Sequence, residues 1–170
     1  MRVLCHHWDA ESALQVLEDL DGHDLAEVGV AQGRAMRPLE ALAEFQTGAA
    51  RGEDVRVAFV CPGGAPIAPF AILAVGPGGW HGTGIAGLIA RDHRHWRRPL
   101  AVLGAQIRRE LPRYAARRGW HRIEARSWAP HPTGAALLHS LGFAFEATLP
   151  GMGPDGAHEF HQFAFIQPKG

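Results

Sequence analysis

One long helical segment, residues 99–118, separates two groups of strand-like runs, and this arrangement limits the fold more than any other feature of the chain. Leu100, Leu103, Ile107, Leu111 and Tyr114 recur along one side of it, the spacing of a helix laid on a sheet. Pro99 suits the first turn, Gly119 supplies a C-terminal stop, and Pro112 predicts a kink or local break. Ahead of it, residues 55–61, 66–75 and 82–90 are β-rich runs separated by Pro62-Gly63-Gly64 and Gly76-Pro77-Gly78-Gly79. They read as an antiparallel meander. Behind it come a strand at 120–127, a helix at 131–141 capped by Gly142, and a closing hairpin of 143–149 and 159–166 around the turn residues 150–156. Leaving one strand run, passing through a long helix and returning as another strand makes a right-handed crossover near the middle of the sheet.

The N-terminal third is helix-patterned. Residues 2–8 predict a short strand, and Asp9 stands at an N-cap position. Ala13, Leu14, Val16, Leu17 and Leu20 then space a helix over 10–20. A second helix at 38–45 presents Leu39, Leu42 and Phe45, with Gly48 as its stop; residues 23–30 between them read as a loop or short helix. The order β-α-α-β-β-β-α-β-α-β-β predicts an α+β fold in a single domain, 1–170, with a mixed sheet of six or seven strands flanked by about four helices.

A chain of 170 residues with 46% hydrophobic and 20% charged residues can bury a core unaided. Its formal net charge of zero excludes a global pull toward nucleic acid or a membrane surface. Lysine occurs once, at Lys169, and arginine is dense between 91 and 126; its planar fork grips carboxylates and phosphates. Arg94, Arg97 and Arg98 crowd the start of the long helix, where positive charge opposes the helix dipole by a few tenths to ~1 kcal/mol each. A cluster set against its own electrostatics points to an anion. Cys5 and Cys61 are too few for a disulfide framework or zinc site. The first residues lack the apolar core of a signal peptide, and no run approaches a membrane span, so a cytoplasmic location is the expectation.

Other candidates for chemistry are sparser. His93-x-His95 and His158-x-x-His161 are the tightest histidine pairs, but neither has metal-ligand spacing or a completing carboxylate pair, so no metal is expected. Gly82-x-Gly84-x-x-Gly87 copies a dinucleotide fingerprint in letters only, because it lies within a strand rather than a strand-to-helix turn; its glycines would let a backbone or ligand come close. Asp92, His93, His95 and Glu124 are candidates for a general base, with none singled out. Aromatic residues do not interleave with arginines as on a nucleic-acid platform.

The stretch HPTGAALLHSLGF, residues 131–143, in this element order, resembles the GCN5-related N-acetyltransferase (GNAT) superfamily. That family commonly writes Asn-x-x-Ala-x-x-x-Tyr-x-x-x-Gly-Phe after the strand that follows its long helix. Gly142-Phe143 and the spacing back to His131 match, and the resemblance covers about the last two-thirds of the chain. It implies acetyl-CoA as co-substrate, lying in a splay of the sheet with its pantetheine on strand backbone at Leu88, Ile89 and Ala90. Its phosphates would lie near Arg94, Arg97 and Arg98, and His131, which stands in the asparagine position, is a further cofactor-binding candidate. Three departures stand out. The phosphate loop, RDHRHWRRPLAV from residue 91, has no glycine, and Trp96 and Pro99 add bulk and remove a donor. Leu138 replaces the tyrosine that commonly protonates the departing thiolate. Gly134 replaces an alanine.

Two functions follow from this resemblance. One is direct transfer of an acetyl group from acetyl-CoA to the amine of a small molecule or peptide. The other is a non-catalytic structural or adaptor role with protein partners of a particle assembly, located in a virion. The chain is also similar to acetyltransferase-like proteins of tailed phages in its acidic stretch 24–28, its altered loop, and the aromatic strand with Phe160 and Phe163 after Asp155-Gly156.

Overall fold

The computed structural model describes residues 2–64 and 66–168. Strands β1 (Arg2–His7), β2 (Asp54–Cys61), β3 (Ala68–Pro77), β4 (Thr83–Ala90), β5 (Arg122–Trp128), β6 (Ala144–Met152) and β7 (His158–Ile166) form one seven-stranded sheet. Its order is β1-β2-β3-β4-β5-β7-β6, and only the central β4–β5 pair is parallel. Among the described residues five helices accompany it: α1 (Ala10–Glu18), α2 (Gly22–Gln32), α3 (Pro38–Ala50), α4 (Arg97–Arg118) and α5 (Gly134–Leu141). A 3-10 turn, Pro62–Gly64, joins β2 to β3.

Period-two alternation sorts the strand side chains onto two covered faces. Val55, Val57 and Ile72 meet Ala13, Val16, Leu17 and Ala41 of α1 and α3 on one face. Ala58, Phe70, Ala71 and Ala90 meet Leu103 of α4 on the other. Farther along that second face, Ile123, Ala125 and Phe163 pack on Leu111, Ala115 and Leu141 of α4 and α5.

Local signals behave as their chemistry dictates. The Asp9 side chain accepts the Ser12 N–H at 2.9 Å, Pro99 lies in the first turn of α4, and Gly119 and Gly142 take left-handed conformations as C-caps. Helix α4 runs through Pro112 without a break. Residues 23–30, read as a loop or short helix, lie in helix α2, opened by an Asp21 cap and closed by Gly33. One expectation needs correction. Gly48 does not stop α3; it leaves room for the Glu53 side chain, whose Oε2 would lie 2.6 Å from an added Cβ.

Candidate functional site

Strands β4 and β5 pair over three positions only, Thr83–Arg122, Gly84–Ile123 and Ile85–Glu124. Beyond Ile85 they run on without pairing, so the middle of the sheet opens. Gly84 makes the closed end possible, because a Cβ there would stand 2.5 Å from the ring of buried Trp120. Gly87 has nothing within 4 Å of that position and borders the opening. Of the three glycines in this run, then, Gly82 and Gly84 serve close packing inside the protein, against His121 and Trp120, and Gly87 faces free space.

The backbone polarity of the opening follows from the β3–β4 register. The Arg91 N–H donates to Phe70 O at 2.9 Å. Antiparallel alternation therefore turns the N–H and C=O of Ile89 and Gly87 toward β3, and those of Ala90, Leu88 and Ala86 away from it, into the gap. Leu88 thus offers main-chain groups to the cleft, whereas those of Ile89 face β3 and its side chain packs against the α1 and α3 core. Ala90 points the right way, but its groups are taken: its N–H donates to Asp24 Oδ2 at 2.7 Å, and its C=O accepts from the Asp21 N–H at 2.9 Å.

Helix α2 lies across the opening. Asp24 and Glu27, one turn apart, face the same way; Asp24 engages β4, and Glu27 faces Ser127 on β5. Ser127 Oγ is 3.4 Å from Glu27 Oε2. Burial raises the Glu27 carboxyl above the usual carboxylate range, against the lowering effect of the Trp128 amide. Together with Leu73, Leu88, Leu138 and Phe143, these residues enclose a mainly apolar cavity of about 130 Å³. At its polar end lie Asp24, Glu27, His93 and His131.

The buried carboxylate of Asp24, 6% exposed, accepts three hydrogen bonds. His131 Nε2 stands 2.8 Å from Oδ1, while His93 Nε2 (3.1 Å) and the Ala90 N–H share Oδ2. Burial alone would raise the Asp24 pKa. Hydrogen bonds from His131 and His93, the charge of His93 and the Ala90 amide outweigh it and hold the group below the ordinary range. The protonation of His131 is set by its other nitrogen: Nδ1 accepts the N–H groups of Gly134 at 2.9 Å and Thr133 at 3.3 Å, so the proton sits on Nε2 and points at Asp24. Asp24, His93 and His131 bring three ligand-type atoms within 4.8 Å of one another. The chemistry of that set does not suit a cation, because the His131 nitrogen facing it carries the proton.

The loop from 91 to 96 is likewise filled from within. The His93 N–H donates to Asp21 Oδ2 at 2.9 Å, and the Arg94 and His95 N–H groups to Asp92 Oδ1 at 2.9 and 3.2 Å. Trp96 turns inward, its ring stacked on Phe70 at 5.5 Å with the Arg91 guanidinium on it. Helix α4 begins with no side-chain cap, leaving the Arg97 and Arg98 amides for outside partners. Arg94, Arg97 and Arg98 line an open concavity there with His95 and Asp92.

The residues named from the sequence thus separate into two places. Leu88, Ile89 and His131 meet at the cavity, Arg94, Arg97 and Arg98 gather outside it, and Ala90 lies between under Asp21 and Asp24. Among the base candidates, Glu124 is paired with Arg122 at 2.7 Å, Asp92 caps its own loop, His95 packs on Trp96, and His93 is bound to Asp24. In the sequence Asp24 and Glu27 stand out only as part of an acidic stretch; their i, i+3 spacing after Asp21 is the signal that puts them on one helix face.

No protein-family model and no curated protein matches the sequence. Solved structures do resemble it in shape. A GNAT-family acetyltransferase from Bacillus anthracis has a TM-score of 0.75 at 10% identity, with 99% of this chain and 97% of that one covered. A GNAT-superfamily phosphinothricin acetyltransferase from Sinorhizobium meliloti, solved in complex with AcCoA, has 0.67 at 15%, covering 100% and 91%. A ribosomal-protein-S5-alanine acetyltransferase from Vibrio fischeri has 0.65 at 11%, covering 99% and 95%. The chain therefore has the GNAT acetyltransferase fold, an α+β arrangement on a seven-stranded mixed sheet. Among the described residues no helix is long and apolar enough to cross a membrane.

Proposed function

We propose that the cleft binds an acyl-CoA and that the protein transfers its acyl group directly to an amine of a small molecule or peptide. The observation that carries this reading is the opened β4–β5 pair, with the main-chain groups of Leu88 and Ala86 turned into an apolar gap. An unpaired strand edge supplies oriented N–H donors to an extended amide chain and to a polarised carbonyl, and a dry lining strengthens them. Arg94, Arg97 and Arg98 stand where the phosphates would be met by forked cations beside a helix N-terminus. Acyl-CoA, when bound, supplies the activated thioester.

Glu27 is the residue of this chain best placed as base. It lines the cavity, and burial keeps its carboxyl nearer to neutrality than an exposed glutamate. Its part is to take the proton from the incoming ammonium. Leu138 puts no hydroxyl into the cavity wall, so water or another side chain serves as the acid. The test is calorimetric titration of the purified protein with acetyl-CoA at low and moderate salt, followed by an amine screen. Saturable micromolar binding, weakened by salt, is expected; absence of binding at millimolar acetyl-CoA removes the reading.

A second reading has the same fold carrying protein contacts without chemistry, with particle-assembly proteins as partners. It is favoured by one observation, the donors of Ala90 and the 93–95 loop already held by aspartates.

A further inference from the structure

The segment from Asp19 to Asp24 lies along the free edge of β4 as a ligand backbone would. Leu20 forms an antiparallel bridge with Arg91, and Asp19 pairs with the Arg91 guanidinium at 2.8 Å. The Asp21 N–H donates to Ala90 O, and the Asp21 and Asp24 carboxylates accept the His93 and Ala90 N–H groups at 2.9 and 2.7 Å. Main-chain N–H groups at a strand end and before a helix are natural donors for an anionic, amide-bearing ligand. Here two carboxylates of the chain hold two of them. A donor bound to a buried carboxylate is not free for a phosphate or amide oxygen, and the carboxylates also repel an anion. The arginine concavity lies just outside this closed stretch.

We propose that the Asp19–Asp24 turn is an autoinhibitory latch, occupying the β4 edge and loop donors of the cofactor site, which acyl-CoA reaches fully only when the turn lifts off Ala90 and His93. This rests on the acyl-CoA reading of the cleft. Admission of the cofactor exchanges the Asp21–His93 and Asp24–Ala90 hydrogen bonds for bonds to the ligand, and the Leu20–Arg91 bridge opens with them. The binding-competent state is a minor one in the free protein, which lowers the apparent affinity by its fractional population.

The test uses the full-length protein and two variants, Asp21→Ala and Asp19→Ala with Asp21→Ala, titrated calorimetrically with acetyl-CoA after thermal melts have verified folding. Loss of the Asp21 hydrogen bond to the His93 N–H should tighten the apparent Kd about ten- to a hundredfold, the worth of one charge-assisted hydrogen bond. Hydrogen exchange on the unmutated protein is the second measurement: under saturating acetyl-CoA, amides of residues 19–25 should exchange faster while those of β4 become protected. Equal affinities in all three proteins, or unchanged or slower exchange in 19–25 with ligand bound, overturn the latch and leave the acyl-CoA reading standing. Tighter binding by the variants than by the unmutated protein, with 19–25 released on ligand binding, supports both. Absence of binding in all three overturns both.

Discussion

Replacing Asp24 by asparagine tests the bonding scheme at the heart of the site, because the change is nearly isosteric and alters only donor and acceptor character. Asp24 receives donors on both oxygens: His131 Nε2–H on Oδ1, and the Ala90 N–H with His93 Nε2 on Oδ2. An asparagine has one acceptor oxygen and one NH2. If its oxygen faces His131, the NH2 confronts the Ala90 N–H, a main-chain donor that cannot reverse. If it is flipped, the NH2 confronts His131, whose Nε2 proton is fixed because Nδ1 accepts from Gly134 and Thr133. Either way a buried donor loses its acceptor. One charge-assisted hydrogen bond is worth about 1.5–3 kcal/mol, and an orphaned buried donor costs about 1–3 kcal/mol. The expected loss on Asp24→Asn is therefore about 3 kcal/mol, a large share of the 5–15 kcal/mol typical of a domain. Urea denaturation followed by tryptophan fluorescence measures it. A loss below about 1 kcal/mol would refute the fixed tautomer and with it the case against a cation at this cluster.

The same cluster sets a pH dependence. Burial lowers the His93 pKa, but its hydrogen bond to Asp24 and the charges of Asp24, Asp21 and Asp92 outweigh this and raise it. Its contribution is complete below about pH 6.5 and is lost as pH rises through the raised folded value. Asp21 and Asp24 titrate low in the folded protein, so their contribution is present above about pH 3.9 and fades as pH falls through their lowered values. Tm should thus peak between about pH 4 and 6.5 and decline above, with His93→Gln flattening the decline; a Tm that climbs from pH 6 to 8 contradicts this. Arg97→Ala with Arg98→Ala should weaken acetyl-CoA binding at least tenfold and reduce its salt dependence, and unchanged calorimetric affinity would remove these arginines from the site. Gly84→Ala forces a Cβ onto the Trp120 ring and should cost about 1–3 kcal/mol by denaturant unfolding, whereas Gly87→Ala meets open space and should stay within about 0.5 kcal/mol. Equal losses at the two glycines would refute the placement of the opening.

What the sequence alone determined was local and periodic. The stripe from Leu100 to Tyr114, the left-handed stops at Gly119 and Gly142, the Asp9 cap and the alternation of the meander each depend on neighbours a few residues away, and each forms as its spacing dictates. Element order then limited the sheet to an antiparallel set joined through one helical crossover. What tertiary structure decided was everything that spans the gap. Helix α2 carries a mixed face that reads weakly as a helix, yet it is the element that places Asp24 and Glu27 over the opening. Asp24 meets Ala90, His93 and His131 across 66, 69 and 107 positions of chain, and no local pattern encodes such pairings. Gly48 looked like a stop because glycine usually ends helices; its actual reason, the Glu53 side chain packed against it, exists only after the chain has turned back. Ala90 presents the same letters whether its amide is open or held. Only folding brings the carboxylate that holds it, because a main-chain donor is selected by geometry and leaves no mark in its own side chain.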